Sequence, residues 1–534
     1  MLQLVPIHFP SPPPPPTLKS TTTTTIVISI EWSVLTYSIA FSTNPIDQID
    51  PYLGGLSYGA FDATDHVRIN TSIPEHAYFV FQLAFAAVTA AVISGAVVGR
   101  ISYAAWCLFI SLWHLFVYTP LARWVWHPTG WLAARGIEDF AGGFVVEANC
   151  GLSAFILALL VGYEGRLAAF ALSARTTSVA EASTASINDL LGPSDAETEE
   201  GITVNVASGG VRSGTSPSST GGGVGGTGGS WDGGAWAPRE RRTPHNMPFV
   251  LLGAGLLFFG WLGFNSGSAL KSDHIAARAF ANTVLAASSG MAGAAFFETF
   301  SARRKQGVWG SPTAIGCATG VIIGLAAVTP ACGYVSQMAA LLIGFCAALI
   351  ALFVETTVMV RLHMHVDDTL SCFSGHGVGG IVGVIATGFA SSKREEAPLD
   401  GVFYGGGGAL LGHQLIGLAV TVLLCIVGTT AAWGITRTIL KVMNIPFLVT
   451  IERAHDLDKS MHGESAYATT STDVSSHFAG FAEALKEEFA RGVLSRSLLT
   501  AGEKAEALAT SAAVASKRTS SRRNANGNSV NFQE

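Results

Sequence analysis

Charged residues are scarce in this chain. Asp, Glu, Lys and Arg make up 13% of its 534 residues, whereas hydrophobic residues make up 49%. Soluble domains carry about 25% charged residues, so this deficit argues against an ordinary soluble fold. The formal net charge is only −6, which excludes the strongly basic surface that a nucleic-acid-binding protein needs.

Motifs for metals, disulfides and catalysis are lacking as well. The seven cysteines show no CxxC or CxxH spacing, so neither a metal site nor a disulfide framework is predicted. We expect these cysteines to pack as small apolar residues inside helices. The sequence contains no nucleophile–base set and no cofactor-binding loop, so it predicts neither a cofactor nor an enzyme.

What the chain does contain is a series of apolar stretches of about 20 residues, the length that crosses a bilayer as an α-helix. The sequence therefore predicts an all-α polytopic membrane protein, surrounded by lipid, with about ten transmembrane helices. The predicted spans lie near residues 26–43, 77–98, 101–122, 140–162, 246–265, 275–299, 311–329, 334–355, 369–390 and 405–438.

Polar, low-complexity segments separate two groups of helices, at 26–173 and 246–438. The Pro/Thr-rich leader 1–25 and the Ser/Gly-rich linker 174–245 have too few apolar residues to fold, so both are predicted to be disordered. The tail 439–534 is polar, and we expect it to be largely disordered after about residue 495.

The distribution of Lys and Arg places the leader, the linker and the tail on the cytoplasmic side. The loop 44–74 then lies on the outer side. It contains the sequon Asn70-Thr71-Ser72, so Asn70 is a candidate glycosylation site.

Two ionisable residues, Glu147 and His376, lie within apolar spans. A charge at the centre of a bilayer costs roughly 2.5–3.5 kcal/mol on insertion scales, so such residues usually face a polar pathway inside the bundle. Each has a simpler alternative role: the histidine bonded to a nearby backbone group, the glutamate to a hydroxyl. Because both residues lie at similar depth, we expect them to face each other inside the bundle. Such a pair favours a protein that moves a small polar or cationic solute across the membrane.

Asp139 and Trp126 precede the span that carries Glu147. Asp139 is placed to cap this helix by accepting hydrogen bonds from its free N–H groups. It is also placed to stabilise a cation in an outer vestibule. Trp126 is expected on the outer loop, either as an aromatic residue at the membrane interface or as a cation–π partner.

Two pairs of residues lie one helical turn apart and therefore share a helix face. These pairs are Phe81 with Phe85, and Phe264 with Ser268. Aromatic residues at this spacing more often form a core than a gate, and both roles stay open.

These residues stand in strings that resemble the ammonium transporter family, the ammonium/methylammonium permeases that are distantly related to Rhesus proteins. The strings occur in the family's order: FQLAFAAVTAAVISGAVVGRI, YTPLARWVWHPTGWL, DFAGGFVVEANCG, GWLGFNSGSAL, ANTVLAASSGMAGAAFFE, TPACGYVSQMAALLIG, DDTLSCFSGHGVGGI and HGESAY. The resemblance covers about 26–173 and 246–467.

The resemblance implies a role for each outer residue. Trp126, Phe85 and Ser268 would form the recruitment site for ammonium, with Asp139 nearby. Phe85 and Phe264 would form a stacked gate.

Within the bundle, the family's paired pore histidines map to Glu147 and His376, with Phe81 beside the pore. The resemblance also implies a homotrimer in the plasma membrane with one hydrophobic pore per subunit. Its substrate would be ammonium or ammonia, with methylammonium as an analogue.

The chain departs from the family pattern in three ways. Glu147 replaces the first pore histidine, which leaves the transported species open among the ammonium ion, ammonia, and ammonia with a separate proton. The string of the family's first helix is absent, so ten spans are expected here where the family has eleven. The linker 174–245 is longer than usual.

A gene-model error is the preferred explanation for the missing first helix. Two alternatives to a transporter stay open: an ammonium sensor with little flux, and a truncated, non-functional paralogue.

Overall fold

Helices follow one another along the chain in the computed structural model. It describes residues 17–59, 67–68, 71, 73–97, 99–163, 247–307, 309–361, 368 and 370–448. Four groups of predictions lie partly or wholly outside these residues: the leader up to residue 16, Asn70, the linker 174–245 and the tail from residue 449.

A helix occupies each of the ten predicted spans. In chain order they are α1 (Thr17–Glu31, continuing to Phe41), α2 (Glu75–Ala96), α3 (Tyr103–Trp126), α4 (Gly143–Tyr163), α5 (Met247–Gly267), α6 (His274–Gln306), α7 (Ala314–Val328), α8 (Gln337–Val358), α9 (Phe373–Ala390) and α10 (Ala409–Val442). Within the described residues, nine of these helices are long and apolar enough to cross a membrane, and α7 is a shorter apolar helix. The predicted all-α polytopic membrane fold is confirmed.

The threonine run belongs to α1, which corrects the prediction that all of residues 1–25 are disordered. Hydroxyl groups in this helix donate back to carbonyls four residues earlier, as Thr25 does to Thr21 at 3.1 Å. This pattern satisfies the hydroxyls inside the helix. Trp106 of α3 also donates through Nε1 to the hydroxyl of Thr24 at 2.9 Å. A run of threonines is therefore compatible with a helix that packs one face, with Thr21 and Thr24, against the bundle.

Short π-helical turns interrupt several helices in the described part of the chain. Such turns are rare and occur frequently at functional sites. Glu147 lies in one of them and His376 in another. The π-helical turns are Trp32–Thr36, His114–Tyr118, Gly143–Ala148, Val354–Val358 and Phe373–Val378.

Helices α4 and α9 cross in close contact and run antiparallel. Gly151 lies against the backbone of Gly377, and a Cβ atom on Gly380 would come within 2.7 Å of the backbone nitrogen of Ala148. Residue numbers rise along one helix as they fall along the other, which fixes the antiparallel direction. Any larger side chain at these glycines would separate the helices, so the crossing brings their side chains close together.

A buried charge network holds the loop after α1 against the end of α3. The guanidinium of Arg123 is fully buried and donates to the Asp50 carboxylate at 2.7 Å. Burial raises the pKa of Asp50, but hydrogen bonds from Thr129 and from the backbone N–H of Asn44, with the charge of Arg123, hold it below its usual value. The network fixes the end of α3, where Trp126 lies.

Candidate functional site

Glu147 and His376 meet inside the bundle, as predicted from the sequence. Nδ1 of His376 lies 2.7 Å from Oε2 of Glu147. The glutamate side chain is 1% exposed and the histidine side chain 12% exposed. The two groups therefore form a buried acid–imidazole pair, with the imidazole as its more accessible member.

The carboxylate of Asp139 caps the N-terminal end of α4, which confirms its predicted capping role. It accepts hydrogen bonds from the backbone N–H groups of Gly142 at 2.9 Å, Phe144 at 2.9 Å and Val145 at 3.3 Å, and also from that of Gly143. Burial raises the pKa of Asp139 to about 6, against the lowering effect of these four bonds. The cap holds the π-helical turn that carries Glu147.

Asp368 caps α9 in the same way. Its carboxylate accepts from the N–H groups of Cys372 at 2.8 Å and Phe373 at 2.9 Å. Asp368 precedes His376 by eight residues, and Asp139 precedes Glu147 by eight residues. Each member of the buried pair therefore lies on a π-helical turn whose first backbone N–H groups are capped by an aspartate a few residues earlier.

Trp261 of α5 lies flat against the imidazole of His376. The two rings are stacked, with centroids 6.0 Å apart and planes 14° from parallel. The indole Nε1–H donates to the hydroxyl of Thr329 at 2.9 Å, which fixes the orientation of the indole. Trp261 was not singled out from the sequence, because neither its position nor its neighbours mark it as more than a core tryptophan.

An aromatic cluster lies where the first half of α2 packs against the C-terminal ends of α3 and α5. The Phe85 ring lies 4.0 Å from the Phe264 ring at an angle of 30°, 4.8 Å from the Phe81 ring and 5.2 Å from the Trp126 ring. Phe85 is 1% exposed. A centroid separation of 4.0 Å is close to ring contact, so nothing passes between Phe85 and Phe264 unless their side chains turn.

Trp126 is the last residue of the helical segment Thr119–Trp126, which corrects its predicted place on the outer loop. Its Nε1–H donates to the carbonyl of Asp139 at 3.1 Å, so the indole is held between α3 and the start of α4. Ser268 follows the end of α5, and its hydroxyl donates to the carbonyl of Phe264 at 3.0 Å. All the predicted recruitment residues that are described lie at this end of the bundle.

A second pair of aromatic rings lies on the other side of the buried pair. The rings of Phe155 and Phe373 are 4.4 Å apart. Phe155 is two helical turns beyond Glu147 on α4, and Phe373 is one turn before His376 on α9. The acid–imidazole pair therefore lies between two sets of aromatic side chains.

Comparisons with known proteins agree with this architecture. The Ammonium Transporter Family matches residues 17–179 and 232–467. An ammonium transporter of Bacillus subtilis is 31% identical over 450 residues, which is 83% of this chain and 87% of that protein. An ammonium transporter of Aquifex aeolicus is 31% identical over 443 residues, which is 83% of this chain and 82% of that protein.

Solved structures share the fold. The crystal structure of Saccharomyces cerevisiae Mep2 aligns with a TM-score of 0.63 at 23% identity, covering 89% of this chain and 88% of that one. The two relatives are named as transporters and not as enzymes, in agreement with the prediction from the sequence. The chain is a multi-pass membrane protein that belongs to the ammonium transporter family.

Proposed function

We propose that this protein moves ammonium across a membrane through a narrow pore in each subunit. The observation that carries the proposal is a continuous series of side-chain contacts from the outer end of the bundle to the buried pair. Neighbouring rings in this series have centroids 6.0 Å apart or less. The last step is the hydrogen bond between His376 and Glu147. The series runs Trp126, Phe85, Phe264, Trp261, His376 and Glu147.

The outer residues would recruit the cation. An ammonium ion over the face of Trp126 gains roughly 0.5–2 kcal/mol from cation–π attraction, depending on how much water it has lost. Asp139 would add a negative charge in the same region, since Trp126 donates to its backbone carbonyl while its carboxylate caps the start of α4. Ser268 supplies a hydroxyl oxygen near the end of α5.

The phenylalanine gate would select against hydrated ions. Phe85 and Phe264 offer only ring carbons, so an ion that passes them gives up hydration for no more than a weak cation–π attraction. Ammonia loses far less than potassium, because it carries no charge. The aromatic pair Phe155 and Phe373 would continue this apolar passage on the far side.

Glu147 and His376 would receive the substrate between these apolar sections. Ammonium and ammonia both present N–H donors, and a carboxylate with an imidazole nitrogen supplies acceptors. Because the two groups share a hydrogen bond at 2.7 Å, they exchange protons as one unit. The pair is therefore suited to accept a proton from ammonium, or to stabilise the ion in passage.

Assembly as a homotrimer in the plasma membrane is part of the same proposal and rests on membership of the family.

Uptake of isotopic methylammonium in cells that lack their own permeases tests the function. We expect saturable uptake that ammonium inhibits, and we expect the double variant Glu147→Ala/His376→Ala to lose it at equal surface expression. Protein that reaches the cell surface and gives no uptake above that double variant contradicts the proposal.

A further inference from the structure

A thiol lies beside the buried acid–imidazole pair. Cys150 follows Glu147 by three residues on α4 and is fully buried. Its Sγ atom, a carboxylate oxygen of Glu147 and a ring nitrogen of His376 all lie within 4.8 Å of one another. The thiol donates to the backbone carbonyl of Glu147 at 3.4 Å, within the same helix.

We propose that Glu147, Cys150 and His376 form a binding site for one thiophilic divalent cation, of the Zn²⁺ or Cd²⁺ type, that blocks the pore. The blocking role rests on the proposed transport function, whereas the binding itself does not. The spacing of cysteines in the sequence does not reveal this site, because one ligand, His376, comes from the antiparallel helix α9.

The donor set fits such a cation. Zinc binds thiolate sulfur at about 2.3 Å, and imidazole nitrogen and carboxylate oxygen at about 2.0–2.2 Å. Atoms within 4.8 Å of one another reach these distances after side-chain shifts of about 1 Å. A thiolate also favours zinc-like cations over magnesium and calcium, which prefer oxygen ligands.

The charges balance as well. A carboxylate and a thiolate together carry two negative charges, which cancel the charge of a divalent cation in a buried site. An unbalanced charge would be costly at this depth. When the cation binds, a metal–sulfur bond replaces the S–H bond and the thiol proton leaves to water, so no oxidation or reduction takes place. Water or ammonia fills the fourth position.

The cation would have to pass the same phenylalanine gate that selects against hydrated ions, so we expect it to enter slowly and only when the Phe85 and Phe264 side chains turn. The His376 side chain keeps 12% exposure while Glu147 keeps 1%, so the imidazole is the first ligand that an incoming cation meets. Once bound, the cation occupies both proton acceptors of the pair. Transport would therefore stop until the cation is removed.

Titration of the purified full-length protein in lipid nanodiscs with Cd²⁺ tests the binding. The readout is the ultraviolet charge-transfer absorption of a cadmium–thiolate bond. We expect Cys150→Ser to lose this absorption, and Cys425→Ser to keep it. Cys425 is an equally buried thiol that contacts Asn149 Oδ1 at 3.2 Å, and serine retains that donor. Glu147→Gln and His376→Gln should each weaken Cd²⁺ affinity at least about tenfold.

Full absorption in Cys150→Ser, or equal loss in Cys425→Ser, overturns the site. A second measurement, of methylammonium uptake with Cd²⁺ and after its removal by a chelator, tests the block. Reversible inhibition that is absent in Cys150→Ser supports it, and unimpaired uptake by cadmium-loaded protein overturns it. Binding is read without transport, so failure of the transport function leaves the binding test intact.

Discussion

The indole of Trp261 is stacked on the imidazole of His376, with ring centroids 6.0 Å apart and an interplanar angle of 14°. A hydrogen bond from the indole to Thr329 fixes the indole in turn. The imidazole is therefore held between a flat ring on one helix and the Glu147 carboxylate on another. We therefore expect Trp261 to act as a positioning residue that keeps Nδ1 directed at the carboxylate.

Replacing Trp261 by leucine should impair transport without preventing folding. Aromatic pairs contribute about 0.5–1.5 kcal/mol beyond their buried area, which corresponds to a loss of roughly 2- to 10-fold in methylammonium uptake per folded molecule. Trp433→Leu is the matched control, because Trp433 is a buried tryptophan on α10 that packs against Phe447. Equal uptake per folded molecule by the two variants would contradict a positioning role.

Phe264→Ala should reduce uptake more than Phe81→Ala. The Phe264 ring centroid lies 4.0 Å from that of Phe85 and 5.8 Å from that of Trp261, so Phe264 joins the aromatic cluster to the ring that is stacked on His376. Phe81 contacts Phe85 at 4.8 Å from the side. Initial rates of methylammonium uptake at matched surface expression check the order, and the reverse order would refute the proposed gate.

Glu31 and His114 form a second acid–imidazole pair. Variants of this pair measure how much such a hydrogen bond stabilises the bundle. Glu31 Oε2 lies 3.0 Å from His114 Nδ1, and Ser111 also donates to the carboxylate. Removing one partner leaves the other with one hydrogen bond fewer in a partly buried site, whereas removing both does not.

We therefore expect His114→Leu alone to lower the stability of the solubilised protein by roughly 1–3 kcal/mol, a figure reduced from fully buried pairs because Glu31 is partly exposed. Glu31→Leu/His114→Leu should recover most of the loss. Thermal melting of the single and double variants measures this difference. Additive losses would show that the two groups do not stabilise each other.

His127 should make the protein sensitive to mild acid. Burial, together with the charge of Arg123, lowers the pKa of His127 to about 4. An unfolded histidine titrates near 6.5, so the unfolded state takes up a proton first as the pH falls. The contribution of neutral His127 to the free energy of unfolding is therefore complete above about pH 6.5. It is lost progressively as the pH falls towards 4.

Melting temperatures of the wild type and His127→Gln at pH 7.5 and pH 5 check this expectation. Glutamine does not titrate, so the variant should lose less stability between the two pH values than the wild type does. An identical loss in both proteins would assign the acid sensitivity to other groups.

Much of the fold and part of the site could be predicted because segments that cross a membrane must be made largely of apolar residues. Apolar runs of bilayer length locate the helices, and an ionisable residue within such a run needs a partner, which Glu147 and His376 supply for each other. Asp139 could be predicted as a cap because it immediately precedes an apolar helix.

Other features depend on tertiary contacts that sequence patterns do not record. The π-helical turns and the stacking of Trp261 depend on how neighbouring helices pack, and Cys150 joins the pair only because α4 and α9 cross antiparallel. Asp368 did leave a signal: it precedes His376 by the same eight residues that separate Asp139 from Glu147. The helical threonine run was missed because weak hydrophobicity does not prevent a helix whose hydroxyls bond to its own carbonyls.

The most direct measurement of the central claim compares methylammonium uptake by Glu147→His and His376→Ala in the same cells at equal surface expression. Histidine at position 147 keeps a proton acceptor opposite His376, whereas alanine at position 376 leaves the buried carboxylate without the partner that now lies 2.7 Å away. We expect Glu147→His to retain substantial uptake and His376→Ala to lose most of it. Equal uptake by the two variants would contradict the paired-acceptor account.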